Sequence, residues 1–163
     1  MEQNLTHDIE LYPFESFKTL LDHEVNRSRR YRSPLTLIHI AIETDSDNPQ
    51  TQHSAEVFAI NILNLQLRDT DIPCKRDNEF IILMPSTDEH GGRIVCERLQ
   101  SLFNVQHQTY DRVSFKMAVF IGMATLPGDS SLRASLILHQ ASKALMQARS
   151  QQHSNIVVFS DTL

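Results

Sequence analysis

Helical and strand-like stretches alternate along this chain of 163 residues. The order predicts an α/β domain with a ferredoxin-like βαββαβ core, added helices and one added strand, and a mixed central sheet. Three observations carry that expectation. Apolar residues recur at helical spacing in several separate stretches, single helices separate the strands, and one pair of strands is joined by a short polar turn instead.

Phe14, Phe17, Leu20, Leu21 and Val25 share one face of a helix expected over residues 14–32. Its end, Arg27 to Arg32, is strongly basic, which suits the negative pole of a helix and reads as a solvated helix end before a nucleic-acid patch. Pro34 stops that helix, and the apolar run from Leu35 to Ile42 suits a central strand covered on both faces. Residues 44–54 are polar and read as a loop, followed by a second helix with Val57, Phe58, Ile62, Leu63 and Leu65 toward a core. Asp71 to Lys75 and Phe80 to Met84 flank the polar link Arg76-Asp77-Asn78-Glu79, the pattern of a hairpin. Ser86 and Glu89 have capping-box spacing for a third helix through Phe103, with Val95, Leu99 and Leu102 as its buried stripe. Val113 to Thr125 alternates as a strand, a fourth helix follows from Ser131 to Ser150, and Ile156 to Phe159 makes a last short strand. One domain is expected over residues 14–163, behind an extension of residues 1–13.

Composition excludes several classes. A net charge of −5 argues against general binding to nucleic acid or anionic membranes, which need an excess of Lys and Arg. No stretch approaches the ~18 apolar residues of a membrane span. Met1 to Glu10 holds three acids and no Lys or Arg, unlike a signal peptide, so a reducing cytoplasmic compartment is expected. Cys74 and Cys96 are too few and too far apart for a disulfide scaffold or a CxxC site, and read as small buried hydrophobes. No two of the eight histidines have the spacing that sets a pair of imidazoles on one helix face, so no metal site is expected from them. His39, mid-strand, reads as a hydrogen-bonded core or edge residue.

Three stretches resemble the GGDEF domain, the bacterial diguanylate cyclase family that joins two GTP molecules into cyclic di-GMP. Arg29-Arg30-Tyr31 with Pro34-Leu35-Thr36-Leu37-Ile38 is similar to the family's "RRYxxPLSLI". Arg68-Asp69-Thr70-Asp71, followed by Glu79-Phe80-Ile81-Ile82-Leu83-Met84-Pro85, looks like "RxxDxxxRYGGDEFxxLLP". Phe120-Ile121-Gly122-Met123-Ala124 and Ala141 to Arg149 are similar to "SIGVA" and "ADxALYxAK". The pieces occur in the family's order over roughly residues 14–159.

The resemblance implies divalent cations on carboxylates, as phosphoryl transfer needs charge neutralised along the phosphates. Here the sequence departs from the family. Ala41 stands where the first Asp of "DxD" would hold a metal, and Glu43 keeps the second acid. Both turn glycines are gone from Arg76-Asp77-Asn78-Glu79-Phe80, Asn78 falls at the carboxylate position, and Asp77 would repel a triphosphate. The guanine-reading segments have no counterpart in residues 44–54. Arg149 can stand for the phosphate-contacting Lys, while Gln152-His153-Ser154 replaces the "GRN" that follows it. No catalytic residue, metal or cofactor is assigned, and the chain is expected not to be an enzyme.

What survives is the family's product-inhibition motif. Arg68 and Asp71 match "RxxD", and Arg98 matches a further Arg on the next helix. A guanidinium fits the O6 and N7 acceptors of guanine and a carboxylate accepts from its N–H edge. Each such bond contributes about 1.5–3 kcal/mol. With 11 Arg and 11 Asp, ~0.7 matches arise by chance, so only placement before the hairpin and the presence of Arg98 give the motif weight. A surface ion pair of Arg68 with Asp71 is the structural alternative. The expected function is that of a silent cyclic di-GMP receptor using Arg68, Asp71 and Arg98, signalling to an unknown protein or a second copy. The alternative is a nucleotide-independent interaction or dimerisation module on the same scaffold.

Overall fold

The computed structural model describes residues 11–128, 133–151 and 155–159. Residues 1–10 of the expected extension, the start of the fourth helix at Ser131, and Gln152-His153-Ser154 lie outside the described residues. The elements run α1 (Phe14–Tyr31), β1 (Leu35–Thr44), α2 (Pro49–Gln66), β2 (Ile72–Arg76), β3 (Glu79–Pro85), α3 (Glu89–Phe103), β4 (Val105–Tyr110), β5 (Val113–Leu126), α4 (Ala134–Arg149) and β6 (Asn155–Val158). No helix among the described residues is long and apolar enough to cross a membrane.

The sheet has the order β2-β3-β1-β5-β4, with β6 also paired to β5. β1, β2, β3 and β5 pair antiparallel with one another and form the expected ferredoxin-like core. β4 pairs antiparallel and β6 parallel along the far edge of β5, which makes the sheet mixed. β1 lies between β3 and β5 and is buried from Leu35 to Ala41, as its continuous apolar run requires. Strand alternation divides its side chains between two cores. Leu35 and Leu37 pack with Phe17, Leu21 and Val25 of α1 and Ile137 and Ala141 of α4. Ile38 and Ile40 pack with Ala55, Ala59 and Leu63 of α2 and Cys96, Leu99 and Phe103 of α3.

Several expectations are corrected. Residues 49–54 are helix and not loop: Asn48 Oδ1 accepts from Gln50 N at 2.9 Å, Pro49 occupies the first turn, and small residues Thr51, Ser54 and Ala55 are buried. Leu65 is 79% exposed, because Ala55, Ala59 and Leu63 define the inward face of α2. The cap of α3 is Asp88, whose Oδ1 accepts from Gly91 N at 2.8 Å, so Ser86 caps nothing. Leu102 is exposed, and Gly92, Cys96, Leu99 and Phe103 form the buried stripe. β4 is an additional strand, turned into β5 by Asp111 and Arg112, both at positive φ. Tyr12, within the expected extension, bridges Cys74, its N–H donating to Pro73 O at 3.0 Å.

Candidate functional site

Two places gather the residues singled out in the sequence. The first is a cleft of about 540 Å³ at the end of β1 beside the β2–β3 hairpin, with Ala41, Glu43, Lys75, Asn78, Glu79 and Arg149 among its lining. The hairpin register sets Arg76 opposite Glu79, which leaves Asp77 and Asn78 as a two-residue turn. Asp77 adopts φ 54°, a left-handed conformation that glycine accepts freely and that Asp tolerates better than most residues. Arg76 does not line the cleft; its guanidinium lies 4.1 Å from the centre of the Phe14 ring on α1.

Two of the acids that line the cleft pair with cations of the same chain. Arg149 Nη2 donates to Glu43 Oε1 at 3.2 Å, and Lys75 Nζ lies 2.8 Å from Glu56 Oε1. Glu79 Oε2 sits 3.0 Å from His39 Nε2, yet the two do not align as a hydrogen bond, and neither buried atom has a hydrogen-bond partner among the described residues. On the other side of the ring, His39 Nδ1 is 3.0 Å from Ser142 Oγ on α4. The His39–Ser142 pair is hydrogen-bonded in either tautomer, the hydroxyl donating to a bare Nδ1 or accepting from a protonated one. Burial pushes the His39 pKa below its ordinary value; Glu79 opposes the shift, while Arg76 and Arg149 add to it.

Helix α4 reaches His39 because Gly122 lies opposite it in the register of β1 and β5. A Cβ at Gly122 would stand 2.2 Å from Leu145 N and 2.4 Å from Ala141 O, so only glycine admits the helix backbone this close. The Ser142–His39–Glu79 chain was not foreseen as a unit. Its signal was present: His39 shares a strand face with Leu37 and Ala41, and Gly122 with the small residues Ala141 and Ala144 marks a close helix–sheet approach.

The resemblance implies divalent cations at this cleft, and the donor set does not fit them. Ala41 presents a methyl group, Asn78 a neutral amide, Glu43 pairs with Arg149, and Glu79 lies against the His39 ring. Among the described residues there is no group of three His, Cys, Asp or Glu side chains that could hold a metal. Cys74 and Cys96 are fully buried thiols whose pKa values burial pushes up to about 11 and about 12.

The second place is the connection from α2 to β2. Arg68 and Asp71 are brought together by a tight turn in which Asp71 N donates to Arg68 O at 3.0 Å. Asp71 Oδ2 accepts from Arg68 N at 2.8 Å, and Oδ1 accepts from Nη2 at 2.9 Å. Nη2 also donates to Thr87 Oγ1 at 2.8 Å and Pro85 O at 3.2 Å. Arg98 is exposed on α3, and it is not among the hydrogen-bond or ion-pair partners of Arg68 and Asp71 in the described residues. It stands eleven residues beyond Thr87, roughly 16 Å at the rise of a helix.

A sequence profile described as "Diguanylate cyclase, GGDEF domain" matches residues 57–155. No curated protein matches the chain. Among solved structures, the chain is similar to the active GGEEF domain of a diguanylate cyclase from Vibrio cholerae, with a TM-score of 0.80, 16% identity, and coverage of 94% of this chain and 100% of that one. It is also similar to the diguanylate cyclase SiaD of Pseudomonas aeruginosa in complex with its activator SiaC, with a TM-score of 0.77, 17% identity, and coverage of 91% of this chain and 58% of that one. The GGDEF domain of DgcB from Caulobacter crescentus in complex with c-di-GMP has a TM-score of 0.78 at 11% identity, covering 91% of this chain and 88% of that one. These likenesses agree with the observed fold. The profile match rests on sequence, takes in more than half of the chain and runs from α2 to the start of β6, and by it the chain belongs to the GGDEF domain family.

Proposed function

We propose that this GGDEF domain is a catalytically inactive receptor for cyclic di-GMP, which it grips through Arg68, held by Asp71, with Arg98 as a second cation. The observation that carries the reading is the Arg68 guanidinium, fixed by Asp71 and Thr87 just before the signature hairpin and still half exposed. The DgcB complex supports the choice of ligand. Inactivity is supported by the methyl of Ala41, the missing turn glycines and the acids already committed to Arg149 and His39. The signal passes to a protein partner or a second copy in a cytoplasmic setting; the SiaD complex with its activator supports a protein partner. The binding domain in this reading is residues 14–163.

Calorimetric titration with cyclic di-GMP, with GTP plus magnesium as control, tests the proposal. Saturable binding of cyclic di-GMP that Arg68→Ala abolishes, with no heat from GTP, is the expected result. Silence with both ligands would sink it and leave an interaction module that works without nucleotide.

A further inference from the structure

Arg68 is held on several sides. Its Nε and Nη2 approach Asp71 Oδ1 at 3.3 and 2.9 Å, and its backbone N–H donates to Oδ2 at 2.8 Å. The Asp71 side chain is only 4% exposed and both its oxygens are engaged by Arg68. Nη2 turns its remaining hydrogen toward Thr87 Oγ1, 2.8 Å away, and Pro85 O, 3.2 Å away. Thr87 is itself anchored: its hydroxyl donates to Pro85 O at 3.1 Å, and its carbonyl accepts from Thr36 Oγ1 of β1 at 2.8 Å. Thr36 Oγ1 also lies 3.0 Å from Thr125 Oγ1 of β5, so the central strands hold the backbone of the residue whose hydroxyl meets the guanidinium. Nη1 has no partner among the described residues.

We infer that Thr87 is a positioning residue of the Arg68 site and that Arg68 meets its ligand through Nη1. The inference rests on the receptor reading above and changes the division of labour within it. A two-pronged contact to a guanine edge needs two parallel N–H groups from neighbouring nitrogens. Asp71 occupies the Nε–Nη2 edge, and Thr87 with Pro85 takes the other hydrogen of Nη2. Nη1, with its two hydrogens, is the nitrogen left to meet acceptor atoms of the nucleotide.

The test uses the full chain and two readouts. Thr87→Val keeps the side-chain shape and removes the hydroxyl, and Thr87→Ser keeps the hydroxyl. Calorimetry with cyclic di-GMP is expected to show roughly tenfold weaker binding for Thr87→Val, the loss of about one hydrogen bond, and recovery in Thr87→Ser. In the ligand-free chain, the Nη signals of Arg68 in nitrogen-15 NMR are expected to be distinct and to average in Thr87→Val. Amide spectra check that the variants are folded, and Thr87→Ala replaces Thr87→Val if the latter is not. Unchanged affinity together with unchanged Arg68 signals overturns the inference while leaving the receptor reading intact. Absence of binding by the wild-type chain overturns the receptor reading, and the Arg68 signals then decide the positioning role alone.

Discussion

His39 shows how one residue ties a cleft to a helix. Its ring joins Glu79 of β3 to Ser142 of α4, and burial holds its pKa below the ordinary 6.5. In the unfolded chain the imidazole titrates near 6.5, so between that value and the lower folded one the unfolded state binds more protons. Stability is therefore full above about 6.5 and falls as the pH drops through that window. Thermal unfolding from pH 8 to pH 5 is expected to show this decline, reduced in His39→Gln; an imidazole resonance titrating above 6.5 in the folded chain would contradict it. The reading of His39 as a hydrogen-bonded residue within the sheet was legible from its place in an apolar strand. Its partners were not, because Glu79 and Ser142 lie 40 and 103 positions further along and meet it only through strand register and helix packing. Arg68 and Asp71 were legible as a pair, since their spacing closes one turn. Thr87 was invisible, because a threonine after a strand carries no signal of what will reach it.

At the scale of elements, local chemistry predicted what apolar periodicity marks and missed what it does not. β1 announced itself by an unbroken apolar run, and the β2–β3 hairpin by a short polar link between two such runs. The first turns of α2 were hidden because Thr51, Ser54 and Ala55 bury small side chains in place of large ones. β4 was hidden because Gln106, His107 and Gln108 lack an apolar alternation, and its turn uses Asp111 and Arg112 where Asn-Gly would be the recognisable signal. The contact of α4 with β5 depends on one absent side chain. Gly122→Ala places a methyl against the backbone of Leu145 and Ala141, which have no rotamer to change. The expected cost is about 3 kcal/mol or more, measured by urea denaturation, with a change in the His39 resonances as α4 shifts. A cost near zero would mean that the helix does not press on the strand there.

Over the whole molecule, one sheet separates two cores that share β1, β3 and β5. Leu37→Ala, on the face of α1 and α4, and Leu99→Ala, on the face of α2 and α3, are each expected to cost about 2–5 kcal/mol. The strands between them bind both faces into one cooperative unit, so denaturation of either variant is expected to follow a single transition at all probes; two separated transitions would show that the faces fold independently. The fold class was legible at this scale because element order alone constrains it. The sheet's two margins bear on how copies of this domain can meet. β2 is five residues long, with Pro73 offering no N–H on the side where Tyr12 already donates to its carbonyl. The opposite margin is divided between β4, with its register shift, and the four residues of β6, so neither piece is a long straight template. Among the described residues, backbone pairing between two molecules finds no long straight strand to extend, which favours the side chains of helices and turns as the contact surface of any dimer.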